Sequence, residues 1–337
     1  MSASSVEGLN LYGDNFYFIK RHLTAIILGA IIFNILKNLN INFIEKFSSI
    51  SMVFITTTLF LVLTYGIVVG GSRRWIDLGI VNFQPSELAK PLIILWVAKQ
   101  ISNDITEDTD LKKFVRSIFL PLLCAFLVLL EPDYGTFASI CFILFSQIFF
   151  SKIKIIYPSL TIFASILPLY FVATSSEYRL SRIETWLSRK CDLGIDLLGD
   201  CFQLNQSRIA ISSGGLFGLG PGTSRARWGS LPNSYSDFIS SIIGEEYGFF
   251  GLFLLVLAFF ILISTTFLIA IREKNEIKKL ISVGFGSWIF FQTVINLGGA
   301  VGIVPITGIV LPFVSYGSSA MISIFIALGI MYSRDYE

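Results

Sequence analysis

LISVGFGSWIFFQTVINLGGAVGIVPITGIVLPFVSYGSSAMISIFIALGIMYS, residues 280–333, carries no charged side chain from end to end. A helix needs about 20 apolar residues to cross the hydrocarbon core of a bilayer. This stretch therefore has room for two crossings and a link between them. The link is marked by Gly298–Gly302, Pro305, Gly308, Pro312 and Gly317. Non-helical backbone at membrane depth is tolerated where protein shields it or where it lines a cavity. The link is thus either a broken, cavity-facing region or a flexible outer turn.

Moving outward, Ser48–Gly70, Tyr134–Ser151, Ile155–Ser176 and Tyr247–Ile271 are likewise uncharged. Hydrophobic residues make up 54% of the chain and charged residues only 14%, against about 25% charged in soluble domains. The long apolar runs exclude a β-barrel, which would show alternating segments of about ten residues. The fold class expected is an all-α polytopic membrane protein. Nine spans are predicted, near residues 18–37, 48–70, 86–101, 114–131, 134–151, 155–174, 242–271, 280–297 and 314–333. Together they form a single membrane domain, 1–337, with one long polar loop, 175–237.

Short loops rich in Lys and Arg remain cytoplasmic. Arg272, Lys274, Lys278 and Lys279 mark one such loop, Lys152 and Lys154 a second, Lys112 and Lys113 a third. All three fall on one side under this count, which places the C-terminus inside and the long loop and the N-terminus outside. Met1–Phe16 has neither the basic start nor the apolar core of a signal peptide. The expectation is that a first span is absent from this chain and that Met1–Arg21 is the linker following it. The net charge of +2 carries no implication for nucleic acid, because the basic residues sit in loops between spans.

Function is expected in the long loop. It holds Arg179, Arg182, Arg189, Lys190, Arg208, Arg225 and Arg227 and ends on Asp237. Cations gathered beside a carboxylate suit a phosphate-bearing substrate and a proton to be removed. Asp237 stands where the chain re-enters the membrane. Partial desolvation would there make it a better base, while a helix N-cap is the structural alternative. His22 is the single histidine, which rules out any multi-histidine metal site. The run Gly214–Gly222 lacks the Lys-Ser/Thr of a phosphate loop and reads as a bend. Cys191 and Cys201 either form a bridge, as an oxidising compartment allows, or remain free thiols; Cys124 and Cys141 lie within spans as packing residues.

Ionisable residues inside the membrane are functional hypotheses by default. Glu87 and Lys90 can meet as an i,i+3 pair, either structural or substrate-facing. Glu131 and Asp133 cap the end of a span, and Arg73 and Arg74 flank another.

The strings GSRRWIDLGIVNFQPSELAK (71–90), EPDYGT (131–136), GGLFGLGPGTSRARWGSLPNSYSDFISSIIGEEYG (214–248) and GIVPITGIVLPFVSYGSS (302–319) resemble the SEDS family of bacteria (shape, elongation, division and sporulation). The resemblance covers nearly the whole chain in family order. YGDNFYFIKRH (12–22) and DFISSIIGEEYG place it nearer the division members than the elongation members. It implies ten spans, of which this chain has nine, and a peptidoglycan glycosyltransferase that polymerises lipid II outside the cytoplasmic membrane.

Asp237 falls on the family's essential aspartate. The α-linked lipid diphosphate donor and the β-linked product require one inverting displacement. That needs a base for the acceptor 4-hydroxyl and cations for the leaving diphosphate. Arg73, Trp75, Gln84, Glu87 and Lys90 match the first motif, and Thr307, Ser315 and Tyr316 the last, all as substrate-binding positions with Arg208, Arg225 and Arg227. The resemblance also implies a divalent cation, Mg or Mn, a class B penicillin-binding transpeptidase as partner, and other divisome proteins. The usual Pro-Glu-x-His before the aspartate is here Pro232-Asn233-Ser234-Tyr235, and Val310 stands where proline is common. A lipid II flippase and a silent scaffold for the transpeptidase are the competing functions.

Overall fold

The computed structural model describes residues 2–69, 72–77, 82–104, 111–151, 153–174, 186–187, 191–192, 199 and 201–335. Arg179, Arg182, Arg189 and Lys190 lie outside the described residues. Each of the nine expected spans contains a helix: α2 (Tyr17–Asn38), α4 (Ser48–Tyr65), α5 (Pro85–Asp104), α6 (Leu111–Leu130), α7 (Tyr134–Phe149), α8 (Ile156–Thr174), α10 (Ile239–Arg272), α11 (Glu276–Val301) and α12 (Ser318–Met331). Shorter helices are α1 (Ser2–Tyr12), α3 (Ile41–Lys46) and α9 (Phe202–Ser213). Five of these, α2, α4, α6, α10 and α11, are long and apolar enough by themselves to cross a membrane. The molecule is a polytopic helical membrane protein.

Two compact units divide the chain. One comprises Met1–Thr24, Phe171–Leu262 and Gln292–Gly317, the other Ala25–Tyr170, Ile263–Phe291 and Ser318–Glu337.

The second unit is organised around α5. Pro85 opens that helix, where proline's missing N–H costs nothing and its fixed φ suits the first turn. Ala89, Lys90 and every residue from Ile93 to Ala98 are buried, so this helix is enclosed by others on every side. It packs against α4, α6, α7 and α12. One correction concerns the second expected span. Gly66 is extended and ends α4, and Ile67–Val69 (β1) turns back against Ser72–Asp77 (β2), which pairs with Asn82–Phe83 (β3). The span therefore ends at Tyr65, five residues before the expected boundary of Gly70. The antiparallel ribbon is also an exception to the all-helical reading.

The first unit is centred on a small core of Ala210, Leu231, Phe238, Ile242 and Ala300 with Ala226, which lies in a 3-10 turn at Ala226–Trp228. The long loop thus contains α9 and this turn. Cys191 and Cys201 are joined by a disulfide, with their Cα atoms 5.3 Å apart.

Candidate functional site

Helix α10 is broken near its start. Gly248 takes φ 66° and ψ −159°, so the helix hydrogen bonds around it must be replaced. The replacements come from the glycine run upstream. Leu219 N and Gly220 N donate to the carbonyls of Glu245 and Glu246 at 2.9 and 3.0 Å. Phe249 N and Phe250 N donate to Gly215 O and Leu216 O at 2.9 and 3.2 Å. A Cβ at Gly218 would fall 2.2 Å from Glu246 O, so a side chain there would force the two segments apart. The run expected as a bend is spliced into the helix, and two of its amides are already engaged by helix carbonyls.

Asp237 lies just before α10 and is half-buried. Three flanking contacts hold the backbone that carries it. Tyr316 N donates to Tyr235 O at 3.2 Å, Ser315 Oγ donates to Ser236 O at 2.5 Å, and Asn296 Nδ2 donates to Asp237 O at 3.0 Å. Asn296 Nδ2 also reaches Ile309 O at 2.8 Å, tying the 309–316 segment to the same point. Gly308 has φ +73°, and a Cβ built on it would stand 3.6 Å from Asp237 Oδ2. A glycine thus lies close beside the carboxylate.

Ser315 and Tyr316 were expected at the substrate. Ser315 is buried, with its hydroxyl donating to Ser236 O and accepting from Leu311 N. Tyr316 packs on Phe18 and Tyr235, at 4.9 and 6.0 Å between ring centroids. Thr307, half-buried, immediately precedes Gly308. Burial and the neighbouring Glu7 and Asp237 carboxylates hold the Tyr235 hydroxyl above the usual phenol range.

Of the loop cations, Arg225 is exposed and Arg227 half-buried, its guanidinium carbon 5.5 Å from the centre of the Trp228 ring. Arg208 pairs with Asp192 Oδ1 at 2.6 Å and donates to Val301 O at 3.0 Å, so its charge is balanced within the loop. Asn296 was missed by the sequence reading. Its signal was an amide in a largely apolar span, four residues after a second amide, Gln292.

The second unit holds the remaining expected residues. Lys90 and Glu87 form an ion pair at 2.7 Å, both buried, with Lys90 Nζ 4.8 Å from the Trp288 ring centroid. Gln84 Nε2 donates to Asp133 Oδ2 at 3.3 Å, and Asp133 Oδ1 caps α7 through Thr136 N at 3.1 Å. Arg73, exposed, donates to Thr64 O at 3.2 Å. Trp75 lies two residues on along β2, opposite Ile67, with a bulge in the ribbon between the two positions. Arg74 donates to the carbonyls of Glu131 and Pro132. Ser86 Oγ, Glu87 Oε2 and both Glu131 carboxyl oxygens find no hydrogen-bond partner among the described residues. Buried polar atoms left this way mark places that water or a ligand satisfies.

The whole chain, residues 1–337, matches the family of FtsW, RodA and SpoVE, described as "Cell cycle protein". A relative from Haemophilus influenzae, described as "Probable peptidoglycan glycosyltransferase FtsW", is 34% identical over 342 residues, covering 100% of this chain and 85% of its own. One of the same description from Wigglesworthia glossinidia brevipalpis is 32% identical over 343 residues, covering 100% and 88%. Among solved structures, the rod shape determining protein RodA of Thermus thermophilus superposes with a TM-score of 0.69 at 25% identity, over 98% of this chain and 91% of its own. A chain from a peptidoglycan synthase complex, solved to explain how polymerization and crosslinking are coordinated, gives a TM-score of 0.76 at 26% identity, over 98% and 93%.

Proposed function

Since the chain belongs to the FtsW, RodA and SpoVE family of cell cycle proteins, we propose that it is a peptidoglycan glycosyltransferase of the division type. It polymerises lipid II into β-1,4-linked glycan strands. The observation that carries this reading is Asp237. Its carboxylate stands beside a glycine, on backbone held at three successive residues, in the unit that also presents Arg225 and Arg227.

The reaction is a single inverting displacement. The acceptor 4-hydroxyl gives its proton to Asp237 as its oxygen bonds to C1 of the donor sugar. The bond from C1 to the lipid diphosphate breaks, and the diphosphate leaves with the electron pair. Arg225 and Arg227 stabilise that charge. One carboxylate suffices, because no covalent intermediate forms and the diphosphate leaves as a stable anion that needs no proton from an acid. The basic loop joining α10 and α11, with Arg272, Lys274, Lys278 and Lys279, marks the cytoplasmic side and so supports an active site on the outer face.

A divalent cation such as Mg2+ or Mn2+ fits here as a companion of the diphosphate. No group of three or more His, Cys, Asp or Glu is gathered for one among the described residues. Asp237 would supply one ligand, with substrate oxygens and water supplying the rest; bound there, it would neutralise leaving-group charge. A class B penicillin-binding transpeptidase is the partner this reading implies, in keeping with the synthase complex whose chain this one resembles, together with other divisome proteins.

The test is lipid II polymerisation by the purified chain with its transpeptidase, comparing wild type and Asp237→Asn. Removing a general base lowers the rate by about 100-fold or more. Equal rates would remove Asp237 from the chemistry. Lipid II transport without polymer from either protein would favour the flippase reading.

A further inference from the structure

Residues 224–227 alternate between the interior and the surface. Ser224 and Ala226 are buried, Arg225 is exposed and Arg227 half-buried. Ala226 sits in the core with Phe238 and Ile242, so the two arginines flank a residue packed beneath them.

One buried carboxylate grips this turn. Glu245 Oε2 accepts from Ser224 Oγ at 2.5 Å and from Ala226 N at 3.2 Å, and Oε1 accepts from Arg225 N at 3.0 Å. Glu245 is only 2% exposed. All three donors come from the turn itself, two of them main-chain amides. Hydrogen bonds to an ionised acceptor are the strong ones, roughly twice a neutral pair. A buried carboxylate also requires them, since nothing else there replaces its hydration. The contact is therefore directional. It fixes the backbone at 224–226, and through it the points from which Arg225 and Arg227 extend.

The grip reaches Asp237 through α10. Glu245 stands on the helical segment that opens at Ile239, directly after Asp237 and Phe238, and before the break at Gly248. The backbone carbonyl of the same Glu245 accepts from Leu219 N at 2.9 Å. One residue thus holds the incoming glycine run by its main chain and the arginine turn by its side chain.

We propose that Glu245 is a positioning residue, which fixes the turn bearing Arg225 and Arg227 to the helix that follows Asp237. The cations for the diphosphate and the base for the acceptor then keep one spacing. This inference rests on the glycosyltransferase reading for what the arginines bind, and deepens it by naming what places them.

The experiment uses the full chain in lipid nanodiscs with undecaprenyl diphosphate as the probe, so that binding is read without turnover. Glu245→Gln keeps the shape but puts an NH2 group against the turn's donors, and should weaken binding about tenfold. In polymerisation assays KM should rise more than kcat falls. The triple variant Glu245→Gln, Arg225→Ala, Arg227→Ala should bind no more weakly than Arg225→Ala, Arg227→Ala, because Glu245 acts through those two side chains. Unchanged binding in a folded Glu245→Gln protein overturns the proposal, and so do losses that add fully to those of the arginine variants. Should Glu245→Gln fail to fold, Ser224→Ala removes one of the three bonds and should weaken binding in the same direction; unchanged binding there overturns the proposal as well. Wild type and Asp237→Asn equal in polymerisation would instead unseat the base, while the binding series still decides the role of Glu245.

Discussion

Two regions of this molecule carry carboxylates and cations, and they hold them in different ways. In the first unit Asp237 is half-buried and Arg225 is exposed, while the hydrogen bonds that hold them run through the main chain. In the second unit Glu87 and Lys90 are paired directly at 2.7 Å, and Lys90 also faces the Trp288 ring. A half-buried or exposed charged group is within reach of a substrate. A charge neutralised in place is tied to architecture, because removing its partner strands it in a low dielectric. The two arrangements should therefore fail differently when mutated.

The sharpest contrast comes from Asp237→Asn. It should abolish polymerisation while leaving the melting temperature of the detergent-solubilised protein within about a degree or two, since the bonds from Asn296, Ser315 and Tyr316 that hold this segment go to its backbone carbonyls and survive the substitution. A large drop in melting temperature would assign Asp237 a structural role and erase the contrast. Lys90→Ala should show the reverse pattern. Stranding Glu87 costs about 3–5 kcal/mol, read as lost thermal stability and poor monodispersity, and Glu87→Gln in the same chain should recover part of it. A stable Lys90→Ala protein that fails only in lipid II binding would move this pair into the substrate site.

The disulfide gives a smaller effect. Closing a loop of this length contributes roughly 2–3 kcal/mol in the chain-entropy account, and Cys191 neighbours Asp192, the partner of Arg208. Cys191→Ser with Cys201→Ser should raise the rate of limited proteolysis in the loop several-fold, with the membrane helices intact. Equal cleavage rates would show that the Asp192–Arg208 link holds without the bridge.

Much of this was legible in the chain. Among the described residues each of the nine spans read from the chain contains a helix, because a bilayer demands long, largely apolar stretches that composition reveals. The Glu87–Lys90 pair followed from helical spacing, a local property. The ribbon at 67–83 did not, since its first strand continues the apolar run of α4 and only Gly66 marks the change. Nor could the sequence assign the hydroxyl of Ser315 to the backbone at Ser236, or the charge of Arg208 to Asp192. Those depend on contacts between distant segments, which periodicity does not encode. Asp237 was found because the loop ends on it. Asn296, which anchors it, was missed because its partners, the carbonyls of Asp237 and Ile309, come from distant segments.

The splice between residues 215–220 and 245–250 makes the lengths of two segments interdependent. Its four amide–carbonyl bonds pair positions one-to-one across the break at Gly248. Deleting or inserting a single residue on either strand of the splice would misalign every pair at once. A substitution that spares Gly218 and Gly248 would instead leave the main-chain pattern whole. Alignments of related chains should accordingly contain gaps elsewhere and almost none here, even where side chains have diverged.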